Sequence, residues 1–207
     1  MALPKKKHEK EGFSRTMLAE FNRSLILIVD RDLLVNNIVS KILQILPVSR
    51  IAIFLLNAET EKYIRVDKQK DAFFHQIYFT HHSKLINWLS VNETYFHVSR
   101  MDDVMSYFSD DEQELILQAG IVLIFPLKVM NRLNGFVMLG KRSDGGNFSG
   151  QDINLLRLLF DQASFALKNT TLYEEQGERI RKMYRADRLA ILGQLAAGAA
   201  HEIRNPL

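Results

Sequence analysis

Residues 124–175 read IFPLKVMNRLNGFVMLGKRSDGGNFSGQDINLLRLLFDQASFALKNTTLYEE and contain the clearest strand, turn and helix signals of the chain. Apolar runs at 121–129 and 134–140 predict two strands connected by a turn around Asn131. Because proline has no N–H to donate to a neighbouring strand, Pro126 in the first run favours a sheet edge or a bulge.

A glycine-containing loop and a long helix follow these strands. The loop covers residues 142–150, RSDGGNFSG, and Ser149 is a plausible helix cap before Asp152. The next roughly fifty residues contain no helix breaker except glycine, which is longer than a domain core accommodates. We therefore expect this helix to extend beyond the domain core and to pack against a partner.

The preceding residues complete an α+β pattern with a mostly antiparallel sheet. An amphipathic helix is predicted from Asp30 to Leu46, where Pro47 stops it, and an earlier helical segment is suggested between Met17 and Ile28. The further elements predicted before residue 121 are strands at 51–56 and 63–66, a short helix at 83–89 and a strand at 95–98.

Composition narrows the class of protein. The 207 residues are 47% hydrophobic and 25% charged, as in an ordinary soluble globular protein. The absence of cysteine excludes disulfides, thiolate catalysis, cysteine-ligated zinc, iron–sulfur clusters and thioether-attached chromophores. The longest apolar stretch, Ile121 to Leu127, is far shorter than a membrane span, so no membrane span is expected.

The net charge of +3 is confined to the start of the chain. Residues 1–15 carry five basic and two acidic side chains, and the remainder carries 22 of each. A basic tail without interleaved aromatic residues is typical of a flexible end, so no nucleic-acid partner is expected. The tail also lacks the apolar core of a secretory signal, which favours a cytoplasmic location.

The long helix carries two sets of apolar and small residues at three- and four-residue spacing. The first seam consists of Leu156, Leu159, Ala163, Ala166, Thr170 and Tyr173. The second seam consists of Leu189, Leu192, Ala196, Ala199 and Ile203. The seams differ in phase across the charged stretch 179–188, which favours a parallel coiled coil with a local rotation and therefore a homodimer. The alternative is that the helix packs on its own domain.

The second seam predicts the orientation of His201. If Ala199 and Ile203 face a helix interface, His201 lies on the outward face with Asn205 one turn further along. Small residues precede this histidine and Pro206 follows it, so the imidazole is expected to be accessible on a helix that bends just beyond.

Residues 187–207, DRLAILGQLAAGAAHEIRNPL, resemble the phosphoacceptor box of sensor histidine kinases. By this resemblance His201 receives the γ-phosphate of ATP, Glu202 is the base that orients the imidazole, and Asn205 positions water in the phosphatase reaction on a response regulator receiver domain. ATP and Mg would bind to an ATP-binding domain of the parent protein, since the scattered glycines here form no phosphate-binding loop. This chain is therefore expected to be inactive alone.

Residues 51–57, IAIFLLN, and the quoted stretch 124–175 resemble a GAF domain. The resemblance implies a GAF fold in which the first and last helices pack on one face of an antiparallel sheet. A ligand cavity would lie on the other face, roofed by the segments between residues 67 and 120. The expected organisation is a flexible tail (1–15), a GAF sensor domain (16–173), a signalling helix linker (174–188) and the start of a dimeric helical-bundle phosphotransfer domain (189–207).

The sequence leaves the GAF ligand unknown. Absence of cysteine excludes covalent bilin attachment, and the cyclic-nucleotide signature of the family is not recognisable. His75, His81, His82 and His97 are candidate haem ligands. The adjacent pair His81 and His82 cannot share one face of a strand and lacks the i, i+4 spacing of a helical metal site, so no metal site is expected. The aromatic residues that could line an apolar pocket, or equally form ordinary core, are Trp88, Tyr95, Phe96, Tyr107 and Phe108.

These observations predict the signal-input and phosphoacceptor portion of a cytoplasmic two-component sensor histidine kinase. The GAF domain would sense a signal and relay it through the long helix to His201, and a small-molecule ligand is one candidate for that signal. The alternative is a non-catalytic GAF module for ligand binding or dimerisation that controls another output domain.

Overall fold

A computed structural model describes residues 25, 28, 30–67, 72–74 and 77–204 of the chain, with side chains described as far as Ala196. The helices are α1 (Arg31–Ile45), α2 (Lys84–Val91), α3 (Asp102–Tyr107), α4 (Asp110–Gln118) and α5 (Gly150–Arg204), with a 3₁₀ turn at Ala72–Phe74. The strands are β1 (Ile51–Asn57), β2 (Lys62–Arg65), β3 (Tyr78–Thr80), β4 (Phe96–His97), β5 (Ile121–Val129) and β6 (Arg132–Gly140). The predicted tail at 1–15 and the start of the predicted earlier helix lie outside the described residues.

The strands form one six-stranded antiparallel sheet in the order β3-β2-β1-β6-β5-β4. The β5–β6 hairpin turns at Met130 and Asn131, whose φ angles of 50° and 60° are those required by a two-residue turn that matches the strand twist. The α+β fold class and the predicted turn around Asn131 are therefore confirmed.

Pro126 lies where β5 has a neighbour on one side only. β4 pairs with β5 only at Leu123 and Ile124, while Pro126 is paired with Phe136 of β6. The missing N–H of Pro126 therefore costs no ladder hydrogen bond on the β4 side. An irregularity in register follows between Leu127 and Lys128.

One face of the sheet is covered by α1 and by the first part of α5. Asp30 caps α1 by accepting a hydrogen bond from Leu33 N at 2.9 Å. The buried residues of α1 at three- and four-residue spacing share a core with strand residues such as Ile53 and Val137 and with Leu156 of α5. The expectation that the first and last helices pack on one face is confirmed.

The opposite face is covered by α2, α4 and the 3₁₀ turn, all within the stretch predicted to form a roof. Because side chains alternate along a strand, Phe54 and Phe136 point to this face while their neighbours Ile53 and Val137 point to the other. The short edge strand β3 was not predicted, since its three residues give no readable alternation.

Helix α5 is one uninterrupted helix of 55 residues, but the chain divides into two compact units after Lys168. Within the first unit, Leu156, Leu159 and Ala163 of the first seam are buried in the core beside the sheet. The prediction that these three residues form a coiled-coil interface is therefore wrong, and the alternative of packing on the chain's own domain is correct for them. Within the second unit, the charged stretch 179–188 is helical throughout.

Candidate functional site

The predicted phosphoacceptor residues lie at the end of α5. His201 and Glu202 are within the last turn of the helix, but their side chains are outside the described part of the structure, as is the whole of Asn205. Their accessibility and roles therefore remain predictions.

The part of α5 that precedes His201 is exposed along its described length. Every residue from Glu178 to Ala196 is exposed, including the large apolar side chains Ile180, Met183, Tyr184, Leu189, Ile191, Leu192 and Leu195. Apolar surface of this extent on one helix is typical of a segment that is covered by a partner.

Aromatic rings occupy the sheet face on which the GAF resemblance implies a ligand cavity. Phe54 stacks on Phe136 at a centroid distance of 4.9 Å, and Phe79 contacts both rings edge-on at 5.2 Å. Phe74 from the 3₁₀ turn contacts Phe54 at 5.8 Å. These buried rings form a packed hydrophobic core under the roof.

The hydroxyl group of Tyr63 lies within this aromatic layer and forms a hydrogen bond with the backbone. Tyr63 Oη donates a hydrogen bond to Leu133 O at 3.2 Å, and burial raises the pKa of Tyr63 above its ordinary value. The Tyr63 hydroxyl therefore stays neutral and acts as part of the core.

The aromatic residues proposed as pocket lining are distributed over different environments. Phe96 and Phe108 are buried together at 5.1 Å, and Trp88 contacts Phe96 at 5.7 Å. Tyr95 stacks on Phe125, which belongs to the other core, and Tyr107 is exposed. The five residues do not form one pocket.

The candidate histidines do not converge. His81 and His82 are exposed in a turn with ring centroids 3.9 Å apart, His97 is buried in β4, and His75 lies outside the described residues. Within the described ranges, no three His, Asp or Glu side chains are grouped as metal ligands.

A cleft of about 710 Å³ lies where β4, α4, β5 and the β6–α5 loop meet, and we name it the basic cleft. Its polar side chains include His97, Ser99, Arg100, Lys141 and Arg142. Sequence analysis missed this site because its residues come from three separate segments, 97–100, 117–122 and 141–148. The glycine-containing loop at 142–150 was its only visible signal.

Arg142 links the basic cleft to the first turn of α5. Its guanidinium donates to Asp144 Oδ2 at 2.5 Å and to Asp152 Oδ2 at 3.0 Å. The hydrogen bond from Arg142 lowers the pKa of Asp144 to about 2. Asp152 also accepts from Ser149 N at 2.9 Å while Ser149 Oγ accepts from Asp152 N, so the predicted cap at Ser149 is confirmed.

A smaller cleft of about 210 Å³ lies on the face covered by α5. Tyr95, Phe125 and Phe160 provide aromatic lining, while Lys128 and Asp161 are among its charged residues. Desolvation lowers the pKa of Lys128 and raises that of Asp161. Lys128 Nζ already donates to Ser90 O and Asn92 O at 2.8 Å, which ties β5 to the end of α2.

Solved structures with this fold come from several different kinds of protein. A fragment of a methyl-accepting chemotaxis protein is 16% identical, covers 74% of this chain and 98% of its own, and gives a TM-score of 0.58. The GAF domain of a Coxiella burnetii phosphoenolpyruvate-protein phosphotransferase is 10% identical with coverages of 78% and 96% and a TM-score of 0.59. The GAF domain of a Bacillus halodurans two-component sensor histidine kinase is 21% identical with coverages of 71% and 99% and a TM-score of 0.53.

No curated protein matches this chain by sequence. None of the helices in the described residues is both long and apolar enough to cross a bilayer. The family model of the GAF domain matches residues 30–169, which is more than half of the chain and includes the whole sheet and both of its helical faces. The chain therefore belongs to the GAF domain family.

Proposed function

We propose that this chain is the signal-input and phosphoacceptor portion of a cytoplasmic two-component sensor histidine kinase. The observation that carries the proposal is the sequence HEIRNPL at 201–207, whose first four residues end the same helix that begins in the GAF domain. Because α5 is continuous from Gly150 to Arg204, a change at its first turn has a direct helical connection to His201.

The chemistry of the residues fits phosphoryl acceptance. A neutral imidazole is a competent nucleophile near pH 7. A carboxylate next to it in sequence, Glu202, would hold the tautomer and stabilise the positive charge that develops on His201 as the phosphorus–nitrogen bond forms. Asn205 would position the attacking water when phosphate is removed from the receiver domain of the response regulator.

The proposal assigns partners to the exposed half of α5. A second copy of the chain would cover the apolar residues between Ile180 and Leu195, giving a homodimer. ATP and Mg would bind to the ATP-binding domain of the parent protein, which would transfer the γ-phosphate to His201.

The test is autophosphorylation of the protein encoded by the full gene. Incubation with γ-labelled ATP and Mg should place on the protein a label that is lost in acid and retained in base, as expected for phosphohistidine. The substitution His201→Gln should abolish this label. His81→Gln, which changes an exposed histidine in a turn, is the matched control and should keep it.

The same experiment distinguishes the proposed kinase function from the alternative function. A GAF module that controls a different output domain is supported by the variety of proteins in which this fold occurs. Absence of acid-labile label from the full gene product, or equal labelling of His201→Gln, would reject the kinase proposal and favour that alternative.

A further inference from the structure

The ionisable side chains that line the basic cleft are all basic. Its lining includes Arg100, Lys141, Arg142 and His97 and no aspartate or glutamate. Arg142 is balanced by Asp144 and Asp152. Arg100 and Lys141 are exposed, and neither side chain forms an ion pair within the described ranges. Two cationic side chains are therefore left to interact with a ligand.

Apolar side chains form the remaining wall of the same cleft. Leu117 of α4 is 62% exposed there, Val98 is half-buried, and the buried residues Ile121 and Phe148 complete the apolar lining. The volume of about 710 Å³ lies within the usual range for sites that hold small organic molecules. Cations beside an apolar wall favour a ligand that has both an anionic group and an apolar body.

We propose that the basic cleft binds a small organic anion, a carboxylate or phosphate attached to an apolar body, through Arg100 and Lys141. None of the aromatic residues Phe54, Phe79 and Phe136 lines the cleft, so the site is separate from the aromatic layer. The inference goes beyond the proposed function and does not depend on His201.

His97 gives the site a group that responds to an anion. Its Nδ1 lies 3.3 Å from Ser99 Oγ, and burial together with nearby Arg100 lowers its pKa below the ordinary value. The imidazole is therefore neutral near pH 7. An anion beside Arg100 would offset part of the positive potential that acts on His97.

The cleft is also placed to influence α5. Arg142 lines it and binds Asp152, which caps the first turn of that helix. An anion in the cleft would compete with Asp144 and Asp152 for the Arg142 guanidinium. Anion binding would therefore change the hydrogen bonding of Asp152 at the N-terminal cap of α5.

The experiment is a ¹H–¹⁵N NMR titration of the purified 207-residue chain with phenyl phosphate, phenylacetate and neutral benzyl alcohol. We expect saturable shifts at the amides of residues 97–100 and 141–148, extending to Asp152, with one or both anions below about 10 mM. Saturable shifts with both phenyl phosphate and phenylacetate would indicate a general anion site. Shifts with only one of them would identify the preferred anionic group as phosphate or carboxylate. Absence of saturable shifts at these residues with both anions, or equal binding of benzyl alcohol, would overturn the proposal.

Paired variants test the assigned cations. The double variant Arg100→Gln/Lys141→Gln should weaken anion binding about tenfold or more. Lys182→Gln/Arg185→Gln, which removes the same charge from exposed positions of α5 outside the cleft, should leave binding unchanged. Because all four side chains are exposed, folding should be preserved, and far-UV circular dichroism checks this. An equal loss of anion binding in both double variants would show that binding depends only on the net charge of the protein, and this would overturn the proposal.

Discussion

Asp67 is a buried carboxylate that holds the end of the β1–β2 hairpin. Its side chain is fully buried, and it accepts from Ile53 N at 2.9 Å, from Arg65 Nε at 3.0 Å and from Arg65 Nη2 at 2.7 Å. The Arg65 guanidinium also lies over the ring of Phe74, 5.6 Å from its centroid. The carboxylate thus connects β1, β2 and the aromatic layer.

Substitution of Asp67 by alanine should be strongly destabilising. It leaves the buried Arg65 guanidinium without this carboxylate and Ile53 N–H without an acceptor, so we expect a loss of about 3 kcal/mol in the free energy of unfolding. Urea denaturation followed by circular dichroism measures this. Glu59→Ala, at an exposed turn position, should change stability by less than about 0.5 kcal/mol. Equal stability of the two variants would show that the network contributes little.

Glu112 caps two helices with one carboxylate. Its Oε1 accepts from Ser83 Oγ and from Leu85 N at the start of α2, and its Oε2 accepts from Ser109 N at the start of α4. The side chain is buried, although sequence position alone suggests an exposed first-turn acid. It therefore fixes the relative positions of two roof helices.

We expect Glu112→Ala to lower the free energy of unfolding by about 2 kcal/mol, because three donors lose their acceptor and two helix caps are weakened together. Glu114→Ala is the matched control in the same helix, since Glu114 is exposed. Thermal denaturation compares the two variants. A melting temperature of Glu112→Ala no lower than that of Glu114→Ala would contradict the double-cap role.

At the scale of elements, α5 presents different faces to different environments. In the first unit, Leu156, Leu159 and Ala163 pack into the core, while Leu158 and Phe165, seven residues apart, are exposed. Heptad spacing alone did not distinguish the face that packs on the sheet from the face available to a partner. The sheet decides this, because it supplies the apolar surface that buries the first set.

Neighbouring leucines test this assignment directly. Leu159→Ala removes a fully buried side chain and should cost about 2–5 kcal/mol, whereas Leu158→Ala, at 48% exposure, should cost less than about 1 kcal/mol in the monomeric domain. Chemical denaturation at low protein concentration separates the two values. Similar costs at both positions would mean that α5 does not use this face against the sheet.

At the scale of the whole molecule, α5 is continuous from Gly150 to Arg204, and the proposed function uses this helix to connect the GAF domain to His201. Each inserted residue rotates the following part of a helix by about 100°, and seven residues restore the original face. The exposed stretch 179–188 is helical, so it accepts insertions without touching the core of the domain.

Insertion of one to seven alanines between Arg179 and Arg188 should give kinase activity that varies periodically in the full gene product. We expect activity to fall when the insertion turns His201 away from its original face, and to recover near four and again near seven residues. Autophosphorylation rate is the measurement, with the GAF domain's melting temperature as the control for folding. A monotonic or flat response would exclude rotation of α5 as the signal.

Local sequence patterns determined α1, the β5–β6 hairpin and the start of α5, because helix periodicity, turn residues and capping side chains act between residues close in the chain. They also determined the resemblance at 187–207, although the side chains of His201 and Glu202 lie outside the described part. Only the tertiary structure decided which face of α5 is buried. It also brought Phe54, Phe79 and Phe136 into one layer and placed Arg100, Lys141 and Leu117 around one cleft. These arrangements depend on strand pairing and helix packing between distant segments, which no local pattern encodes.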